Sequence, residues 1–328
     1  PGFVNGNIDE VRIWNVGRTA QQIADNMNCE IPSSTPGLVA NFHFNQGVAG
    51  GNNTGETTLT DATGNGFNGT LNNFVLSGST SNWVTPGGVV SGTNCPPPPS
   101  TGDYRSVSSG DWTSLSTWER YDGSSWLAAV IAPSSTDNVI TIQNGNTVTV
   151  STVVTADQVI VATGGSLSVN SSGQLILNNG IGTDLDVNSG ASVTNSGTIQ
   201  MNGSSFVFSS ATFTNFGTLQ FSGAALLDLV STTTNLNGNT SITGNGIINL
   251  NGGTTNIQFA VQIPSGITVN FSAGVMQGGN TIRFLTGSAM NWSGGEFRGL
   301  AGMIINSGAT LTITNTVGIK GDNLITNK

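Results

Sequence analysis

Charge is scarce in this chain. Asp, Glu, Lys and Arg make up 8% of its 328 residues, against roughly a quarter in an average globular domain. Eight residues are Lys or Arg, and the formal net charge is −9. A phosphate backbone would meet no basic stripe, so nucleic-acid binding is not expected. Anionic membrane surfaces are disfavoured for the same reason. No apolar run reaches the roughly 18 residues a membrane-crossing helix needs, so membrane insertion is not expected. Imidazole is nearly absent too. The single His, His43, lies between Phe42 and Phe44 with no Ser or Cys motif near it. Nucleophilic triads need a base beside the nucleophile, so His43 reads as a surface or packing residue. No phosphate loop, zinc-ligand spacing or dinucleotide fingerprint occurs.

What the chain does have is glycine, 46 residues of it, with abundant Asn, Ser and Thr. Uncharged hydroxyls and amides take the solubilising role that Lys and Glu usually fill. Val, Ile, Leu and Phe alternate with small polar residues, which is the pattern of half-buried strands and not of disorder. Two cysteines, Cys29 and Cys95, sit at element boundaries. An even, minimal count in such a composition points to one disulfide and an oxidising compartment.

Composition divides the chain into parts. Residues 1–95 contain one helix signal, about 19–27, where Thr19 and Gln22 form a capping box and Ile23 and Met27 share a face. Strands are expected at Asn7–Trp14, Leu38–Phe44 and Leu71–Leu76, with Trp83 packed under the last. Residues 96–102, opening with four prolines, read as a stiff linker. Residues 103–138 carry Trp112, Trp118 and Trp126 among turn formers, and read as a Trp-rich cap for an exposed end of a stacked fold. From 139 to 328 short strands recur: Ile140-Thr141-Ile142, Val148-Thr149-Val150, Val159-Ile160-Val161, Leu167-Ser168-Val169, Leu175-Ile176-Leu177 and onward to Leu311-Thr312-Ile313. Gly and Asn fall at the corners between them. Strands this short suit a parallel β-helix of about three strands and roughly 20 residues per turn, each turn buried by stacking on the next. Asn170, Asn178, Asn188, Asn195 and Asn202 are expected to stack as amide ladders. The alternative all-β reading is a pair of tandem β-sandwiches. Pro1 and Lys328 both interrupt patterns, so the chain reads as a fragment whose β-helix continues beyond it.

Some residues carry a resemblance. Gly6-Asn7-Ile8-Asp9-Glu10-Val11-Arg12-Ile13-Trp14-Asn15, followed by Arg18-Thr19 and Gln22-Ile23, resembles the closing motif of laminin-G-like, concanavalin-like jelly-roll domains. Gly37–Asn45 and Leu59–Gly66 resemble a companion region of that family, which is common in very large Bacteroidetes surface proteins. The block Asp103–Trp126 resembles a lead-in to β-helical regions in the same proteins. The resemblance implies the C-terminal part of a jelly roll in residues 1–95, with Asp9, Glu10 and Arg12 in a structural closing strand where Arg12 pairs with a carboxylate.

Candidate sites are few. Asp61, Asn65 and Asn68 offer oxygens at a glycine-rich turn, as Ca²⁺ requires, without the second and third acids of an EF-hand loop; the other reading is an Asx-turn hairpin. No other cofactor is expected. Asp184 and Asp186 stand two apart on a strand, pointing the same way, without the third carboxylate or basic partner that a β-helical lyase would use. Asp157, Asp228, Glu296 and Asp322 are dispersed. Trp83 and Trp292 are candidate glycan contacts if exposed. Thr-x-Thr pairs at Thr147/Thr149 and Thr310/Thr312/Thr314 suggest an ice-binding array, but they are not in register. The chain is therefore expected to be a non-enzymatic structural or adhesive module, secreted to the cell surface. It would contact other copies or segments of the same large protein, glycans or surfaces. A β-helical polysaccharide lyase or hydrolase, and a carbohydrate-binding module, are the alternatives.

Overall fold

A computed structural model describes residues 6–77, 83–92, 95, 99–315, 318–320 and 325–328. The chain divides into two compact units, residues 1–98 and 99–328. The expectations placed on Pro1–Phe3, Pro96–Pro98 and Asp322 lie outside the described residues.

In the first unit, Val11–Trp14 pairs antiparallel with Leu38–Phe42. The helix spans Ala20–Asn26, and its capping box is formed by Thr19 and Gln22 in both directions. The third strand expected at Leu71–Leu76 is not formed. A short hairpin joins Thr58–Leu59 to Gly69–Thr70 instead. The strand from Leu38 ends before Phe44, which takes a positive φ of 58°. Phe44 and Phe74 then pack on Trp83, at ring distances of 6.4 and 5.8 Å. The unit's apolar residues are not all covered: Ile8, Ile13, Ile23 and Met27 are each at least half exposed.

The second unit is a β-solenoid of about nine turns. Its rungs form three series, all paired in parallel. The first runs from Ile140–Ile142 through Val159–Val161, Leu185–Val187 and Ser205–Ser209 to Thr310–Ile313. The second runs from Thr147–Val150 through Ser166–Val169, Ser192–Asn195 and Thr212–Asn215 to Gly318–Lys320. The third begins with Val153–Ala156, Gln174–Asn178 and Thr198–Asn202. A separate sheet of Val261–Ile263, Thr281–Phe284, Gly302–Ile305 and Ile325–Asn327 holds the corresponding chain positions later on. Parallel pairing of consecutive turns rules out the tandem sandwiches, whose neighbouring strands are antiparallel.

Strand alternation places one set of side chains inside. In the first series Ile142, Val161, Val187, Phe208, Leu229, Leu250, Phe271 and Trp292 stack in one inward column. All are buried. Each such side chain contributes about 1.5–3 kcal/mol through burial. The residues of the Trp-rich block engage the first turn directly. Tyr104–Ser106 pairs parallel with the rung at Ile140, and Gly110–Asp111 with the rung at Val148. Trp112 and Trp118 are buried, 5.2 Å apart, and their indole N–H groups donate to the carbonyls of Pro133 and Trp112.

The corner between the second and third series is tight. A Cβ on Gly197 would sit 2.2 Å from the carbonyl oxygens of Asn170 and Gly173. Side chains of Asn195 and Asn215 are fully buried there, joined by a 2.7 Å hydrogen bond, and they also satisfy backbone groups of Gly197, Gly217 and Thr218. Elsewhere in the core, the Thr234 hydroxyl, inward between Phe213 and Thr255, is one of several buried polar atoms that find no partner among the described residues.

Two outcomes are expected from denaturant unfolding. Gly197→Ala lowers stability by about 3 kcal/mol, because backbone carbonyls cannot yield to the added methyl as a side chain would. Thr234→Val raises stability by about 1 kcal/mol, because it removes a desolvated hydroxyl and keeps the shape.

Candidate functional site

The expected disulfide is present between Cys29 and Cys95. Near it, Arg12 holds the first unit together. Its guanidinium donates to the carbonyls of Asn26 and Cys29 and lies 3.0 Å from Glu10 Oε2. The other oxygen of Glu10 is 2.7 Å from His43 Nδ1. Asp9 accepts from the N–H of Val89 and of Glu10.

The three residues named for Ca²⁺ all take part in hydrogen bonds of their loop. Asp61 is buried, and its carboxylate accepts from the backbone N–H of Asn41, Thr63 and Phe67 and from the Thr63 hydroxyl. Burial pushes its carboxyl up, and these hydrogen bonds more than offset that, leaving it below its ordinary value. Asn68 Oδ1 accepts from the Asp61 N–H, and the Asn65 amide donates to the Val39 carbonyl. The Asp61 and Asn68 oxygens are turned to donors of the chain itself, in an Asx-turn network that pins residues 61–68 to the strand at Leu38.

Neither candidate glycan platform is exposed. Trp83 is 6% exposed and Trp292 is 0% exposed. Trp292 packs between Phe271 and Phe297 inside the solenoid. Its position on the strand alternation, inward like Met290, decided this.

The carboxylates regroup as well. Asp184 is fully buried at a corner, accepting from the N–H of Gly180 and Ser205. Asp186 lies on the outer side of the next strand, in register with Ile160 and Val207. The partner of Asp184 is Asp157, one turn earlier. Burial raises the Asp157 carboxyl, and the adjacent charge and hydrogen bond of Asp184 raise it further. This pair was not legible in the sequence, because a 26-residue turn separates neighbouring rungs there.

The solenoid's most regular surface feature is on the second series. Its outward positions stack as two columns. One is Thr147, Ser166, Ser192, Thr212, Thr233 and Thr254. The other is Thr149, Ser168, Thr194, Thr214, Asn235 and Asn256. Hydroxyl-x-hydroxyl pairs thus repeat in register, although Thr147/Thr149 and Thr310/Thr312 themselves lie on different series. The grid repeats at about 4.8 Å between turns and about 6.7 Å along a strand. Direct hydrogen bonds tie parts of it: Ser166 Oγ to Ser192 Oγ at 2.8 Å, and Gln277 to Asn256 to Asn235 at 2.9 and 2.8 Å. The first series carries a similar amide ladder, Asn291 to Asn270 to Asn249, each link 2.8 Å. Of the asparagines expected to ladder, Asn178 pairs with Asn202 and Asn195 pairs with Asn215.

No family model, curated protein or solved structure matches the chain.

The Asp157 shift sets a pH dependence. A carboxyl whose native pKa is raised favours the folded state below the unfolded value and loses that contribution as pH rises through the native one. Asp157→Asn should therefore raise the melting temperature at neutral pH. The advantage should shrink as pH falls into the ordinary carboxylate range, as thermal melts across pH will show.

Proposed function

We propose that the chain is a structural and adhesive module of a large secreted surface protein, acting through many weak contacts along its solenoid. The observation that carries this reading is the in-register grid of hydroxyls and amides on the second series. Thr is stiff at χ1, so a Thr-rich grid is ordered before it meets a partner. Short side chains without charge lose little on contacting another hydroxylated surface. Repetition over turns converts weak contacts into avidity. The disulfide accords with an oxidising, extracellular setting.

In this reading the Trp-rich block is a cap. Trp112 and Trp118 close the apolar end of the first turn, and Tyr104–Ser106 and Gly110–Asp111 occupy edges that would otherwise pair with other chains. The first unit is read as part of a laminin-G-like jelly roll. Ile13 in its two-stranded sheet and Ile8 just before it are exposed, which is what an element of a larger sandwich would do. The enzymatic alternative finds less support: Asp184 is fully buried, out of reach of a polysaccharide.

Register on the second series also favours a second reading, contact with an ordered lattice such as ice. One experiment separates these. The whole chain and a Ser192→Lys/Thr194→Lys/Thr212→Lys/Thr214→Lys variant are compared for retention on insoluble polysaccharides and for partition into growing ice. Retention on the polysaccharides, reduced on the order of tenfold in the variant with circular dichroism unchanged, supports adhesion. Partition into ice alone, lost in the variant, moves the reading to the lattice. Equal behaviour of both proteins on every surface, or release of reducing sugar ends, rejects the adhesive face.

A further inference from the structure

The first unit brings Glu10, Glu30 and His43 together, and no other role described above uses that meeting. One carboxylate oxygen from each Glu and a ring nitrogen of His43 lie within 4.8 Å of one another. They come from three separate places in the chain: the entry to the strand at Val11, the residue after Cys29, and the end of the strand at Leu38. Two ligands about 2.1 Å from a tetrahedral zinc lie about 3.4 Å apart, so small side-chain rotations close this triangle on an ion.

Each member also has a supporting partner of the kind that orients metal ligands. Arg12 holds Glu10 by Oε2, which leaves Oε1 facing His43. Asn45 donates to Glu30 Oε1 at 2.6 Å and is itself held by Ser91. Asn41 reaches His43 Nε2 at 3.3 Å.

Asn41 bears on the tautomer of His43. It is fully buried, and its Oδ1 has no partner among the described residues. Turning the amide over, which exchanges oxygen and nitrogen in place, sets Oδ1 against His43 Nε2. The oxygen then accepts an Nε2–H, and that tautomer leaves the Nδ1 lone pair free toward the two carboxylates.

We propose that Glu10, Glu30 and His43 form a site for one zinc-class divalent ion, bound through His43 Nδ1 and one oxygen of each carboxylate, with a fourth position open. The mixed nitrogen and oxygen set with three protein ligands suits Zn²⁺, whereas Ca²⁺ takes six to eight oxygens. Arg12 offsets the charge that two carboxylates would otherwise concentrate. The ion would join the Val11 and Leu38 strands to the segment carrying the disulfide.

The rest of the sequence makes this unusually easy to test. His43 is the sole His of the chain, and both cysteines are in the disulfide. No other imidazole or thiolate competes for zinc, provided the protein carries no histidine tag. The chelator-stripped whole chain is titrated with Zn²⁺ by calorimetry, and with Co²⁺ while the visible spectrum is recorded. The expected result is one ion per chain and the intense visible absorption of four-coordinate cobalt. Glu30→Gln keeps an acceptor for Asn45 and should weaken binding on the order of tenfold or more, with the melt of the stripped protein unchanged. His43→Asn should weaken it further and remove the cobalt band. Absence of zinc uptake overturns the site. So does equal affinity in the wild type and in Glu30→Gln, even if His43→Asn fails to fold.

Discussion

Parallel pairing of each turn with the next is the constraint on which the solenoid depends. A single turn has three short strands and an apolar inside that it cannot cover alone. Once the next turn stacks in register, Val161 meets Ile142 and Val187 and the column closes. The same register works outward, because a strand that fixes its inward residues fixes its outward ones. A one-residue slip would expose Phe206 and Phe208 and bury Val207 with its polar neighbours Ser205 and Ser209. The hydroxyl grid is thus not a separate construction. It is the outer side of the register that buries the core, and its order follows from core packing.

Much of this could be read from the residues. Val-Thr-Val and Leu-Ser-Val repeats with glycine between them identify short half-buried strands, and their length argues for a solenoid before any pairing is known. The capping box at Thr19 and Gln22 was readable because it is a local contact of three residues. Register was not readable in the early turns. Neighbouring rungs are 26 residues apart between Ser166 and Ser192, 20 between Asn195 and Asn215, and 21 from Asn249 to Asn270 and from Asn270 to Asn291. An uneven period hides which Thr stands over which Ser. It also hid the pairing of Asp157 with Asp184. Trp292 is a candidate platform in sequence because a large aromatic among Asn, Ser and Gly looks exposed until its alternation with Met290 is followed.

The first unit shows a different limit. Glu10 and His43 are 33 residues apart and meet across an antiparallel pair, and Glu10 holds a positive φ of 48°. Nothing in the spacing announces this, since no carboxylate or thiol stands near His43 in sequence. The Asp61 loop illustrates the reverse. Its composition suits a cation, yet the geometry spends the same oxygens on backbone N–H groups. Composition ranks what a loop could bind; the direction of its lone pairs decides.

In a parallel solenoid the hydrogen bonds between turns run along the axis. Tension along that axis loads the turns in series, like links of a chain, and every link carries the full force. Extra contacts elsewhere do not relieve the weakest one. The interface where Thr234 faces Thr255 keeps an unpartnered hydroxyl in its core, whereas the junction of Asn195 and Asn215 is buried and bonded. Thr234→Val, which removes that hydroxyl from a core interface, therefore bears on how the solenoid carries load as well as on its equilibrium stability.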